Sequence, residues 1–127
     1  MAGNVNQGTT SVAIGYQVGQ INQGSTNVAI GYQAGYSSQS AGSVAIGQQA
    51  ALYNQGQTAI AIGASAGATN QSASAIAIGF TAGNTSQGNS AVAIGFSAGS
   101  SNQQVNAVAL GVNAGNTSQG TNSLAIS

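Results

Sequence analysis

The chain has 127 residues and contains no Asp, Glu, Lys, Arg, His, Cys or Pro. No side chain can act as a general acid or base near neutral pH, and none can activate a serine, so we expect no enzymatic activity. The usual metal ligands and the cations that neutralise phosphate are also missing, so we expect no cofactor, no metal site and no nucleic-acid partner.

A repeat of sixteen residues runs through the whole sequence. Solenoids have short repeats of this kind, in which each coil becomes stable only by stacking on its neighbours. The 20 Gly residues are spread through every unit and would each cost a helix about 1 kcal/mol relative to Ala. The sequence therefore predicts one all-β domain over residues 1–127, a parallel β-roll (β-solenoid) of about eight 16-residue coils. The clearest marker is a glutamine column at Gln7, Gln23, Gln39, Gln55, Gln71, Gln87, Gln103 and Gln119.

Each unit contains a triplet in which two large apolar residues flank an alanine. In a strand the two outer residues project to one face and the alanine projects to the other. The last triplet is Leu124-Ala125-Ile126. The outer residues of the other triplets are Val12, Ile14, Val28, Ile30, Val44, Ile46, Ile60, Ile62, Ile76, Ile78, Val92, Ile94, Val108 and Leu110.

A glycine follows almost every triplet and predicts a tight turn. Ser127 stands where this column would continue. Polar segments such as Asn22-Gln23-Gly24 predict the second corner of the coil, and the absence of Pro fits a backbone whose N–H groups are needed between coils. The predicted turn glycines are Gly15, Gly31, Gly47, Gly63, Gly79, Gly95 and Gly111.

The two faces of the strand cannot both be buried within one narrow coil. If the alanines fill the interior, the Val and Ile rows form an outer apolar strip, and such a strip marks an interface. We then expect a parallel homotrimer with these rows on the three-fold axis. The alternative turns Val and Ile inward and gives a monomer.

Three further columns carry expectations. The glutamines are expected to form a stacked amide ladder. The Tyr16, Tyr32, Phe80 and Phe96 column is expected to pack against a neighbouring coil or chain rather than against a sugar. An ice-binding or glycan-binding solenoid is the alternative function. The rank that ice binding would use is interrupted by Val5, Ile21 and Tyr53, and it comprises Ser37, Thr69, Thr85, Ser101 and Thr117.

The segment Ser11-Val12-Ala13-Ile14-Gly15-Tyr16-Gln17 resembles the Ser-Val-Ala-Ile-Gly repeat of YadA-like heads in trimeric autotransporter adhesins. The run Gly31-Tyr32-Gln33-Ala34-Gly35 is similar to repeats in viral and bacteriophage fibres. The resemblance covers essentially the whole chain and implies a left-handed parallel roll, with three chains around a common axis. It also implies a structural or adhesive role in a surface or virion fibre that contacts a host surface or glycan.

The sequence also bears on membranes and on the ends of the roll. No apolar run approaches the length of a membrane span, so we expect no membrane insertion. No charged residue or Pro protects the strand edges of the first and last coils. End-to-end stacking of rods is therefore expected.

The composition predicts a stability that hardly depends on pH. Because no side chain titrates between about pH 4 and pH 9, folding is not linked to side-chain protonation there. The melting temperature should stay constant across this range and with moderate changes in NaCl concentration. Differential scanning calorimetry at several pH values checks this. A shift of more than several degrees would contradict it.

Overall fold

The computed structural model describes residues 2–127, which form strands and turns without a helix. The strands stack as a parallel β-solenoid of 16-residue coils, which confirms the predicted fold class. Each strand is three residues long. In chain order they are β1 (Val5–Gln7), β2 (Val12–Ile14), β3 (Ile21–Gln23), β4 (Val28–Ile30), β5 (Ser37–Gln39), β6 (Val44–Ile46), β7 (Tyr53–Gln55), β8 (Ile60–Ile62), β9 (Thr69–Gln71), β10 (Ile76–Ile78), β11 (Thr85–Gln87), β12 (Val92–Ile94), β13 (Ser101–Gln103), β14 (Val108–Leu110) and β15 (Leu124–Ile126).

The strands belong to two parallel sheets. Sheet A contains the odd-numbered strands β1 to β13 in chain order, and sheet B contains the even-numbered strands followed by β15. Neighbouring strands of a sheet pair residues that are one 16-residue coil apart. Ile60 pairs with Ile76, and Ile76 pairs with Val92. A bridge from Ser101 to Thr117 extends sheet A by one coil. Each residue therefore lies beside its equivalent in the next coil.

The interior of the roll is lined by small side chains. The central alanines of β4, β6, β8, β10, β12 and β14 are fully buried, while the Val and Ile residues on either side of them point outward. A second buried column lies in the turn after sheet B and includes Ala34, Ala66 and Ala82. The arrangement with alanine inside is thus the one that the chain adopts.

The turn glycines are required where coils approach each other closely. Gly47, Gly63 and Gly79 have φ values of 124–129°, a region that side chains other than Gly rarely adopt. A Cβ atom on any of them would lie 2.6–2.7 Å from the glycine carbonyl oxygen of the next coil. Close packing of the coils therefore requires glycine in this column.

The predicted second corner is wrong in part, because Asn22 and Gln23 belong to strand β3. The central residue of each sheet A strand has a left-handed backbone, with φ of 54° at Asn22 and 57° at Asn70. Asn adopts this conformation more readily than most residues. The left-handed residue turns the chain, so that Ile21 is exposed and Gln23 is buried, although residues two apart in a regular strand share a face.

Ala51 occupies a backbone position that other coils give to glycine. Its φ is 48°, and the equivalent Gly35 and Gly67 have φ values of 53° and 51°. A Cβ at Gly67 would lie 2.7 Å from Oε1 of Gln71, the glutamine of the same coil. In the coil of Ala51 the equivalent oxygen, Oε1 of Gln55, is buried without a hydrogen-bond partner. The nitrogen of the same amide keeps its three donor bonds, so we infer that the Ala51 methyl group crowds the oxygen and keeps Gln39 from donating to it.

Replacement of Ala51 by glycine should therefore stabilise the roll. Relief of the left-handed strain contributes about 1–2 kcal/mol and a restored hydrogen bond about 1 kcal/mol. Unfolded-state entropy offsets up to about 1 kcal/mol of this, and loss of the buried Ala51 methyl group offsets about 0.8 kcal/mol. We expect Ala51→Gly to raise the free energy of unfolding by up to about 1 kcal/mol in a urea titration. The matched control is Ala50→Gly, which removes a buried methyl group without relieving strain and should be destabilising.

Candidate functional site

The outer face of sheet B is a continuous apolar surface along the roll. It consists of two columns, one from the first and one from the third residue of each sheet B strand. All fourteen predicted interface residues lie on it. Equivalent residues pair directly between coils, as Val28 does with Val44 and Ile30 with Ile46. Stacking within the column leaves these inner side chains half-buried, whereas Ile14 in the first sheet B strand is 58% exposed.

Aromatic residues lie two positions beyond the outer Ile column, across the turn glycine. Tyr16 stacks on Tyr32 with ring centroids 5.5 Å apart and planes 10° apart. Phe80 and Phe96 form a similar pair at 5.2 Å and 15°. Each pair joins consecutive coils, as expected for packing against a neighbouring coil. Because the stacked rings cover each other, one face of each ring is not accessible to a sugar.

A polar ladder runs next to the aromatic column. Nε2 of Gln33 donates to Oε1 of Gln17 at 2.9 Å, and Nε2 of Gln49 donates to Oε1 of Gln33 at 3.2 Å. This second ladder was not predicted, although the spacing of sixteen residues between its members is visible in the sequence. In these three coils the edge of the apolar face is formed by uncharged amides.

The predicted glutamine ladder is present and lies inside the roll. Gln71 shows the arrangement: Nε2 donates to the backbone carbonyl of Ile60 at 2.7 Å, to that of Ala75 at 3.3 Å and to Oε1 of Gln87 at 3.2 Å. Its side chain is 1% exposed. Gln71, Gln87 and Gln103 each connect their own coil to both neighbouring coils through one amide group.

The ladder is broken at two steps. Gln7 is exposed in the first coil and donates to the Ser11 carbonyl, so Oε1 of Gln23 has no partner. Gln39 donates to the carbonyls of Val28 and Ser43 rather than to Gln55. Oε1 of Gln55 is the oxygen that the Ala51 methyl group crowds. The prediction of an unbroken ladder is therefore wrong at these two places, and Ala51 accounts for the second.

Within residues 2–127 no group of metal-ligating side chains comes together, and no helix there is long and apolar enough to cross a membrane. A surface groove of about 260 Å³ is lined by hydroxyl and amide groups, including those of Asn70, Ser86 and Gln104. It holds no titratable side chain. The site that remains is the outer face of sheet B.

The Ser and Thr rank lies on the outer side of sheet A. Thr69 and Thr85 pair in register, as do Thr85 and Ser101. Val5, Ile21 and Tyr53 are exposed at the equivalent positions of other coils. The rank is one residue wide, because the next residue of each strand has the left-handed backbone. This arrangement offers a shorter and less regular surface than the outer face of sheet B.

Comparison of the chain with protein-family models, with curated proteins and with solved structures found no match.

The buried amides should be essential for stability. Gln87→Leu keeps the side-chain size but removes the donor to the Ile76 carbonyl and to Oε1 of Gln103. Buried polar groups left without partners cost about 1–3 kcal/mol each, so the free energy of unfolding should fall by about 2–4 kcal/mol. Urea titration followed by circular dichroism measures this. Gln57→Leu, at an exposed corner position, is the control and should change it by less than about 0.5 kcal/mol. Equal effects at the two positions would contradict the proposed role of the ladder.

Proposed function

We propose that the chain is a structural and adhesive segment of a fibre on a cell surface or virion. In this proposal three parallel copies pack through the outer face of sheet B around a common axis. The observation that carries it is the direction of the side chains: alanine points inward and Val or Ile points outward in coil after coil. The fibre would present its remaining surfaces to a host surface or a glycan.

The apolar columns are the first support for association. An outward stripe of β-branched side chains that extends along a whole molecule gains free energy when it is removed from water. The face contains no charge that association would have to desolvate. Its inner side chains already pack within their columns, so little rotamer freedom remains to be lost on binding.

The number of copies rests on the resemblance of the Ser-Val-Ala-Ile-Gly segment to YadA-like heads. A single straight face per chain fits a closed ring in which each copy turns the same edge toward the axis. Parallel association places equivalent coils at the same height. A structural role also agrees with an interior of amides and methyl groups, which contains nothing that pH can titrate.

Measurement of the solution mass tests the trimer. Gel filtration coupled to light scattering should give about three times the chain mass of 12.1 kDa. Ile62→Lys introduces a charge on the proposed axis and should yield a folded monomer by the same measurement. Gln57→Lys adds the same charge at an exposed position of the same coil and should leave the trimer intact.

A mass near 12.1 kDa for the unmodified chain would overturn the proposed trimer. A dimeric mass would preserve the face as an interface but change the symmetry. Circular dichroism of both lysine variants separates loss of association from loss of folding. Thermal hysteresis of the unmodified protein would instead favour an ice-binding surface on sheet A.

A further inference from the structure

The roll that residues 2–127 form has two open sheet edges at each end. Strands β1 and β2 form the edges at one end, and β15 forms the sheet B edge at the other. Thr117, which pairs with Ser101, extends sheet A beside β15. Each edge strand has a neighbour on one side only, so backbone groups on its other side face outward.

The bonds between coils show which edge groups are complementary. The N–H group of Val12 donates to the Asn27 carbonyl of the next coil at 2.8 Å, and the N–H group of Val108 donates in the same way to the Ser123 carbonyl at 2.8 Å. The equivalent donor in the last coil is the N–H group of Leu124. The equivalent acceptor in the first coil is the carbonyl of Ser11.

A second bond of the same repeat runs in the opposite direction. The N–H group of Gly31 donates to the Ile14 carbonyl of the preceding coil at 2.9 Å, and that of Gly111 donates to the Ile94 carbonyl at 2.8 Å. At the ends, the matching pair is the Gly15 N–H group and the Ile126 carbonyl. Donors and acceptors at one end thus match acceptors and donors at the other.

We propose that copies of this 127-residue chain associate end to end, with the last coil of one copy on the first coil of the next. Leu124, Ala125 and Ile126 then pair with Val12, Ala13 and Ile14 of the second copy, in the register that joins β14 to β15. The contact uses different surfaces on the two partners and does not close on itself, so it produces filaments. No charged side chain opposes it.

Ser127 limits the strength of this contact. It occupies the column of the turn glycines, whose φ values of 109–136° other residues rarely adopt. Ser127 is not among the residues with a positive φ, so the backbone at the end of the last coil differs from that of the equivalent turns. The hydroxyl group of Ser127 donates to the Val112 carbonyl at 2.6 Å. Stacking therefore requires a small displacement of the last residue.

Sedimentation velocity over a range of concentrations tests the proposal, with negative-stain imaging of the same samples. The mass-average sedimentation coefficient of the unmodified chain should rise with concentration, and rods of several lengths should be visible. Ser127→Gly should shift the same rise to a lower concentration, by about tenfold or more, because glycine can adopt the positive φ of the turn column.

Charge variants provide the matched comparison. Thr9→Lys with Thr121→Lys places two exposed side chains of one column on the facing ends, where the lysines would lie about 5 Å apart in the filament. This double variant should abolish the rise of the sedimentation coefficient with concentration. Thr9→Lys with Gln57→Lys adds the same net charge but leaves the last coil unchanged, and it should retain most of the rise.

Stacking is distinguishable from the proposed trimer. Ile62→Lys changes the outer face of sheet B but neither end of the roll. Single chains of this variant should therefore still stack end to end. A sedimentation coefficient that stays constant with concentration in both the unmodified chain and Ser127→Gly would overturn the proposal. An equal response of the two lysine pairs would also overturn it, since net charge alone would then explain the behaviour.

Discussion

The buried glutamine amide is the interaction on which the rest of the roll depends. Alanine and glycine columns line the interior and provide little apolar surface per coil, so the usual source of stability is small. The amide of Gln71, Gln87 or Gln103 instead fills the space beside the turn and bonds to backbone carbonyls on two coils. The carbonyls of Ala75, Ala91 and Ala107 also accept backbone N–H groups, so each amide adds a second hydrogen bond at these acceptors and fills the narrow interior with a satisfied polar group.

The same narrow interior explains the unusual backbone. Left-handed residues recur in each coil, as at Thr58, Ser65 and Asn70, and they let a chain of sixteen residues close around alanine methyl groups. Asn tolerates such positions well, and glycine does so best. Hydrogen bonds between equivalent side chains, such as Asn54 to Asn70 at 3.0 Å, hold several of these residues in place. The cost in conformational strain is thus spread over the surface, where side-chain ladders offset it.

The sequence predicted the architecture well because spacing alone determines which residues stack. The sixteen-residue period predicted the coil length. The alanine triplets predicted the strands of sheet B, and Gly15 and its equivalents predicted one turn. Sheet A was not predicted because polar segments that contain Asn are typical of corners. In this chain the Asn adopts a left-handed backbone in the centre of a strand. The step between Gln39 and Gln55 was missed because its cause, Ala51, differs from glycine by one methyl group. Whether the outer face of sheet B binds another copy depends on a second molecule, which no pattern within one chain contains.

The register between coils has a consequence for how such a sequence can change. Because each coil bonds to its neighbours in the same way, for example Ile60 to Ile76 and Ile76 to Val92, the fold has no intrinsic length. Removal or duplication of sixteen residues joins one coil to an equivalent one and leaves every ladder continuous. Removal of fifteen residues would put Gln at the position of an outward residue and Val at the position of a buried alanine. Unequal recombination in whole units would therefore lengthen or shorten the rod, while shifts of a single residue would be eliminated as misfolded chains.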